Sequence, residues 1–191
     1  TPEYSSAASD VYKRQTMSII DKTLHILRSE RIRIGLEEEW PVEEEIDLMH
    51  FIREQVDDEN ENSYLKIGTI PETVSKVLIS SDRLHSIISD VACVLTKGFE
   101  EGEAVVTIDV NTDWNIIQIC NKTLLLPEDT EEKVSEVLAK GTFFAAKFMD
   151  DILWLAMSRY FIEQHKGRLE IHGSKENGTT ISLLLPRLEG S

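Results

Sequence analysis

The chain has 191 residues with 20 basic and 35 acidic side chains, a formal charge of −15, so its surface repels nucleic acid and anionic lipid rather than attracting them. Hydrophobic residues at 41% and charged residues at 29% mark a globular chain, long enough for one domain of moderate size plus an appendage. Apolar runs such as LLL at 124–126 and at 183–185 are far too short to cross a bilayer, and no membrane-spanning segment is expected. Cys93 and Cys120 lie far apart with no CxxC and no nearby His. They read as free thiols of a reducing cytoplasm, and no metal site is expected.

The first fifteen residues, TPEYSSAASDVYKRQ, carry no apolar periodicity. They read as a sequence scar or a disordered segment, which implies that the natural N-terminus and its upstream domains are missing. From Thr16 a helical stripe runs through Ile19 or Ile20, Leu24, Leu27, Ile32 and Ile34, and Gly35 stops it. LEEEW is a short strand closed by Pro41. The stretch 42–56, VEEEIDLMHFIREQV, reads as a helix with acids at its N-terminus and Ile46, Met49, Ile52 and Val56 on its buried face.

SYLKIG and KVLIS read as strands on either side of a turn at Pro71. SDRLHSIISDVACVLTK is the clearest helix, with Leu84, Ile87, Ile88, Val91 and Leu95 on one face after a Ser or Asp cap. EAVVTIDV and WNIIQIC form a hairpin around the NTD turn at 111–113. An acidic loop then leads through LPEDTEEKVSEVLAKG into a short helix ended by Gly141. The last helix, DILWLAMSRYFIEQH, is followed by a hairpin, HKGRLEIHGSKENGTTISLLLP, turning at Asn177 and Gly178, with Pro186 expected to close an edge strand. Helices and strands mixed in this order imply an α+β, two-layer α/β sandwich.

From Thr16 onward this order, together with His165, Gly167 and Arg168, then Gly178, Thr179 and Thr180, then Leu185 and Pro186, resembles the C-terminal region of sensor histidine kinases. The matching domain there is an ATPase of the gyrase–Hsp90–kinase–MutL type; Lys166 stands where the first Gly of its His-Gly-Gly-Arg would be. The resemblance implies a dimerisation-type helix at 16–35, a histidine kinase-like ATPase domain at 36–187 and a tail at 188–191.

It also implies where nucleotide chemistry would reside. On the central helix the family's Mg²⁺-holding Asn falls at Val94, with Asp90 one turn earlier, and a valine cannot ligate a hard cation. Lys97 matches a family lysine that contacts phosphate, and reads equally as a solvated lysine at a helix end. In the Asp-x-Gly-x-Gly motif that receives adenine, Asn121 replaces the Asp while Thr123 and Leu125 replace both glycines. The Asn carbonyl can still accept a hydrogen bond; the two side chains are expected to crowd the base. Asp150, Ile152 and Trp154 stand at the glycines of the phosphate-cradling loop, where Asp150 and Asp151 would repel a triphosphate. An aspartate capping the helix and Trp154 filling the pocket is the simpler reading.

No His is followed by an acid, so the family's phosphoacceptor pattern is absent from the sequence. The expectation is a catalytically degenerate histidine-kinase-like module of two-component signal transduction. It would act by docking or dimerisation, with no catalytic residues, no metal and no cofactor. Lys97, Asn121 and Thr179 are the residues that could still meet a nucleotide. The alternative is a divergent but active sensor histidine kinase that uses ATP and Mg²⁺ and phosphorylates a His on a missing upstream helix. Expected partners are a response-regulator receiver domain or another kinase subunit, with a homodimer through 16–35, in the cytoplasm or as the cytoplasmic part of a membrane sensor.

Overall fold

The computed structural model describes residues 42–56, 64–74, 76–96, 103–140 and 151–188, all within the compact unit Pro41–Ser191. The helix expected at 16–35, the LEEEW strand, Lys97 and Asp150 lie outside the described residues. The elements in chain order are β1 (Glu44–Asp47), α1 (Leu48–Gln55), β2 (Leu65–Ile67), β3 (Lys76–Ile79), α2 (Ser81–Leu95), β4 (Ala104–Val110), β5 (Trp114–Asn121), α3 (Thr130–Lys140), α4 (Asp151–Gln164), β6 (Arg168–Ser174) and β7 (Gly178–Pro186).

Five strands form a sheet in the order β2-β4-β5-β7-β6, and β1 pairs with β3 in a separate two-stranded ribbon. Strand alternation explains which face is covered. Along β5, Asn115, Ile117, Ile119 and Asn121 are buried while the residues between them are half-buried. Their partners on β7 are Leu185, Leu183, Ile181 and Thr179, so one face of the sheet carries a continuous apolar row. That face receives the helices: α2 packs on β5, and α4 on β6 and β7, with α2 and α3 each against α4. Ile117, Ile119, Ile181, Leu183, Leu84, Ile87 and Leu155 are fully buried between the layers, each stabilising the fold by about 1.5–3 kcal/mol relative to an exposed side chain. The two-layer sandwich is therefore present as the sequence implies.

Two expectations change. The stretch 42–56 is not one helix: Glu44–Asp47 is a strand, paired antiparallel with Lys76–Ile79, and the helix begins only at Leu48. Asp47 is its N-cap, its carboxylate accepting from the His50 N–H at 3.0 Å, so the acids before it are strand residues rather than a helix N-terminus. The two strands expected on either side of Pro71 are both present, and each pairs elsewhere. Leu65–Ile67 runs parallel to Ala104–Val106, whereas Lys76–Ile79 belongs to the ribbon.

The second change concerns Pro186, because β7 is interior, flanked by β5 and β6, and the edge strand is β6. Strand β6 begins at Arg168, opposite Leu184, and no residue of it lies opposite Pro186. Pro186 therefore lies beyond it, paired only with Trp114 of β5. Its missing N–H is tolerated because β6 does not reach that far.

Helix α2 is capped by Ser80, whose Oγ accepts from the Arg83 N–H at 3.4 Å. The NTD turn is built by Asn111, whose Oδ1 accepts from the N–H groups of Asp113 and Trp114 at 3.0 and 2.9 Å, an Asx turn that sets the β4–β5 hairpin. Arg159 of α4 joins the helices in the layer by bonding Glu131 of α3 at 2.6 Å and Glu163 at 3.0 Å. Burial works against its charge, but the hydrogen bonds it donates to Glu163 and Glu131 and their negative charges leave its pKa raised overall.

Helix α4 ends in a Schellman motif: the Gly167 N–H bonds the Ile162 carbonyl and the Lys166 N–H that of Glu163, both at 3.0 Å. The residue in the left-handed conformation is Lys166, with φ of 58°, where the resembled family has glycine. Lys166 is exposed. Replacing it by glycine removes the Cβ penalty of that conformation, and Lys166→Gly is expected to stabilise the domain by about 1 kcal/mol, read as a rise in thermal midpoint. Gly167 itself cannot change, since a Cβ there would lie 2.5 Å from the Leu184 carbonyl oxygen and 2.8 Å from Ile162 Cγ2.

One buried hydroxyl has no compensation. Ser158 in the middle of α4 is fully buried, and its Oγ has no hydrogen-bond partner. Ser158→Ala deletes that penalty and gains helix propensity, so denaturant unfolding should show a stabilisation of about 0.5–1.5 kcal/mol.

Candidate functional site

The C-terminal end of α2, the end of β5, the start of β7 and the first turns of α4 carry most of the residues singled out in the sequence. On α2, Asp90 and Val94 lie one helical turn apart and are both buried, at 4% and 0% exposure. Val94 presents only methyl groups and offers no oxygen to a cation. On α4, Trp154 is buried at 8% exposure, Ile152 is half-buried and Asp151 is exposed. Trp154 is thus a core residue, its indole packed in the helix layer.

Asn121 decides the polar character of the site. It ends β5, directly paired with Thr179 of β7, and is 2% exposed. Its Nδ2 donates to the Leu95 carbonyl at 2.7 Å. Its Oδ1 accepts from the Thr123 N–H at 2.8 Å, the Thr123 hydroxyl at 2.8 Å and the Leu124 N–H at 3.1 Å. A carbonyl oxygen has two lone pairs. With three donors already converging on it, Oδ1 is fully engaged inside the protein.

Thr179 is used in the same way. It is fully buried, and its Oγ1 accepts from the Leu126 N–H at 3.0 Å. Asn121 and Thr179, adjacent across the β5–β7 ladder, therefore hold the segment 122–126 at both ends, and the Leu95 bond ties the same ladder to α2. Thr123 and Leu125 do not fill the interior: Thr123 is exposed with its hydroxyl turned back to Asn121, and Leu125 is 47% exposed. The staple, rather than bulk at 123 and 125, is what takes up the polar groups of this corner. The sequence reading missed this role, although Asn followed two residues later by Thr is the signature of an Asx turn.

Gly178 lets the ladder close. Its φ is +68°, and a Cβ there would lie 2.1 Å from the Asn121 carbonyl oxygen and 2.6 Å from Lys122 backbone atoms. The Gly-Thr-Thr turn thus serves contact between the β7 start and the stapled segment.

Among solved structures, the ATP binding domain of PrrB from Mycobacterium tuberculosis matches 77% of this chain and 98% of its own length, with TM-score 0.58 and 14% identity. The catalytic domain of the histidine kinase ThkA matches 76% of this chain and 95% of its own, with TM-score 0.58 and 17% identity. No protein-family profile matches the chain, and no curated protein sequence does. The architecture is that of a histidine kinase ATP-binding domain, as the sequence resemblance implies. At these identities the likeness speaks for the fold.

Proposed function

We propose that this chain is a catalytically degenerate histidine-kinase-like module of two-component signalling, working through protein contacts rather than ATP-dependent phosphotransfer. The observation that carries the reading is Asn121: its Oδ1 is committed to Thr123 and Leu124 and its Nδ2 to Leu95, so an adenine amino group approaching it meets no free acceptor. Freeing it means breaking a buried network, at a cost of about 1–3 kcal/mol for each group left unpaired. Val94 and Trp154 support the same reading, since neither offers an oxygen to a cation nor backbone to a phosphate. Under this reading the sandwich is retained as a docking surface for a receiver domain or a second kinase subunit, in the cytoplasm.

The test is the thermal midpoint with and without Mg-ATP. A ligand at about ten times its dissociation constant adds about 1.4 kcal/mol, worth about 3–6 °C for a chain of this size. The midpoint is expected to stay fixed at about 1 mM Mg-ATP. A rise of several degrees, weakened in an Asn121→Ala variant that remains folded, would mean that a nucleotide site persists.

A further inference from the structure

Strand β6 is the edge of the five-stranded sheet, and among the described residues no strand pairs with its outer side. It is seven residues long, with no proline and no bulge in its register with β7. An edge of that kind is a template for another strand unless something blunts it. Two cavities open beside it: one of about 480 Å³ between Arg168–His172 and the side chains of Glu131, Arg159 and Glu163, and one of about 220 Å³ reaching Ile171, Gly173 and Leu125.

We propose that β6 pairs antiparallel with β6 of a second copy, continuing the sheet across a two-fold axis at Ile171. The sequence RLEIHGS selects that register. Ile171 is the midpoint of the strand, so an axis there overlaps all seven residues. It sets Glu170 opposite His172 of the second copy, twice, placing a carboxylate against an imidazole donor on the outer face. Moving the axis by one residue sets Glu170 against Glu170 or His172 against His172, and shortens the overlap. On the inner face the half-buried Ile171 of each copy would meet its counterpart beside the larger cavity, and Gly173 of each copy would lie opposite Leu169, which its own helix layer buries.

Charge is partly balanced along this edge. The chain carries −15, which opposes association generally, but along the larger cavity Arg159 and Arg168 offset two of the three carboxylates Glu131, Glu163 and Glu170. The contact needs no nucleotide and does not rest on the functional reading above. A single strand pair is small against a standard interface, so the association is weak and concentration-dependent.

Hydrogen exchange of the β6 amides, measured on the full chain at low and high protein concentration, tests it. Residues 168–174 should gain protection at high concentration, and because the readout is local, association through any other segment leaves it unmoved. His172→Glu places carboxylates face to face at both positions and should weaken the concentration-dependent protection at least about tenfold. The swap Glu170→His with His172→Glu restores complementarity and should restore it. Protection of β6 that is independent of concentration, or a His172→Glu chain indistinguishable from the unmodified one, would overturn the proposal. So would failure of the swap to recover protection while the domain remains folded.

Discussion

Gly178→Ala is expected to remove about 3–5 kcal/mol of stability, a large share of the roughly 5–15 kcal/mol that a domain holds. Two independent costs meet at this residue. A φ of +68° costs an L-residue about 1–2 kcal/mol. The new Cβ would also stand 2.1 Å from the Asn121 carbonyl oxygen, far inside contact distance and against backbone on both sides. Relief requires β7 to move off the Asn121–Lys122 segment, which strains the Asn121–Thr179 pair that anchors the corner. Equilibrium denaturation should show the loss directly. A cost under about 1 kcal/mol would mean that the turn relaxes freely and that the staple is not rigid.

Asn121→Ala carries the next largest effect, about 3 kcal/mol. The side chain is 2% exposed and serves the Leu95 carbonyl, two N–H groups and the Thr123 hydroxyl. Truncation orphans several of these at once, at about 1–3 kcal/mol for each one that stays buried, reduced where water reaches the exposed Thr123. Asn121→Asp is a sharper probe, because it restores the residue type of the resembled family while changing only the donor. A carboxylate facing the Leu95 carbonyl is repelled by it, so the folded protein should favour the protonated acid and hold that pKa above the ordinary value of about 3.9. The sign follows from linkage: this variant should approach the stability of the unmodified chain below about pH 4 and lose stability as pH rises through its folded pKa. Stability that is flat with pH would show that Nδ2 contributes nothing at Leu95.

The elements that could be read from the sequence are those whose signals are local. Helix α2 shows its stripe and its Ser80 cap within a few residues, and the last hairpin announces itself through Gly167, Gly178 and the apolar run before Pro186. Strand β1 could not be read that way, because Glu44 and Glu45 favour a helix N-terminus by local preference and become a strand only through pairing with Lys76–Ile79, far along the chain. The parallel β2–β4 pairing is equally a tertiary choice. Pro186 was legible as a strand terminator but not as the end of an interior strand, since the length of β6 relative to β7 appears only in the assembled sheet.

At the candidate site the residue types were legible and their employment was not. That Val94 cannot hold a cation follows from its chemistry alone. That Asn121 turns its oxygen to its own loop, and that Thr179 accepts from Leu126, depends on where the chain from Thr123 to Leu126 runs. The side chains expected to obstruct a base, Thr123 and Leu125, are exposed rather than buried in the interior. The polar groups expected to remain available are the ones engaged.

Calorimetric titration of Mg-ATP into the unmodified chain tests the central claim most directly, because it asks whether the stapled corner admits a nucleotide at all. Several missing charged or polar contacts at about 1.5–3 kcal/mol each are enough to exhaust the roughly 4–8 kcal/mol of a millimolar-to-micromolar site. The account predicts no saturable heat up to about 1 mM Mg-ATP, which corresponds to about 4 kcal/mol of binding free energy. Saturable binding below about 100 μM, weakened by Asn121→Ala in a variant that remains folded, would contradict it and return the chain to the active kinases.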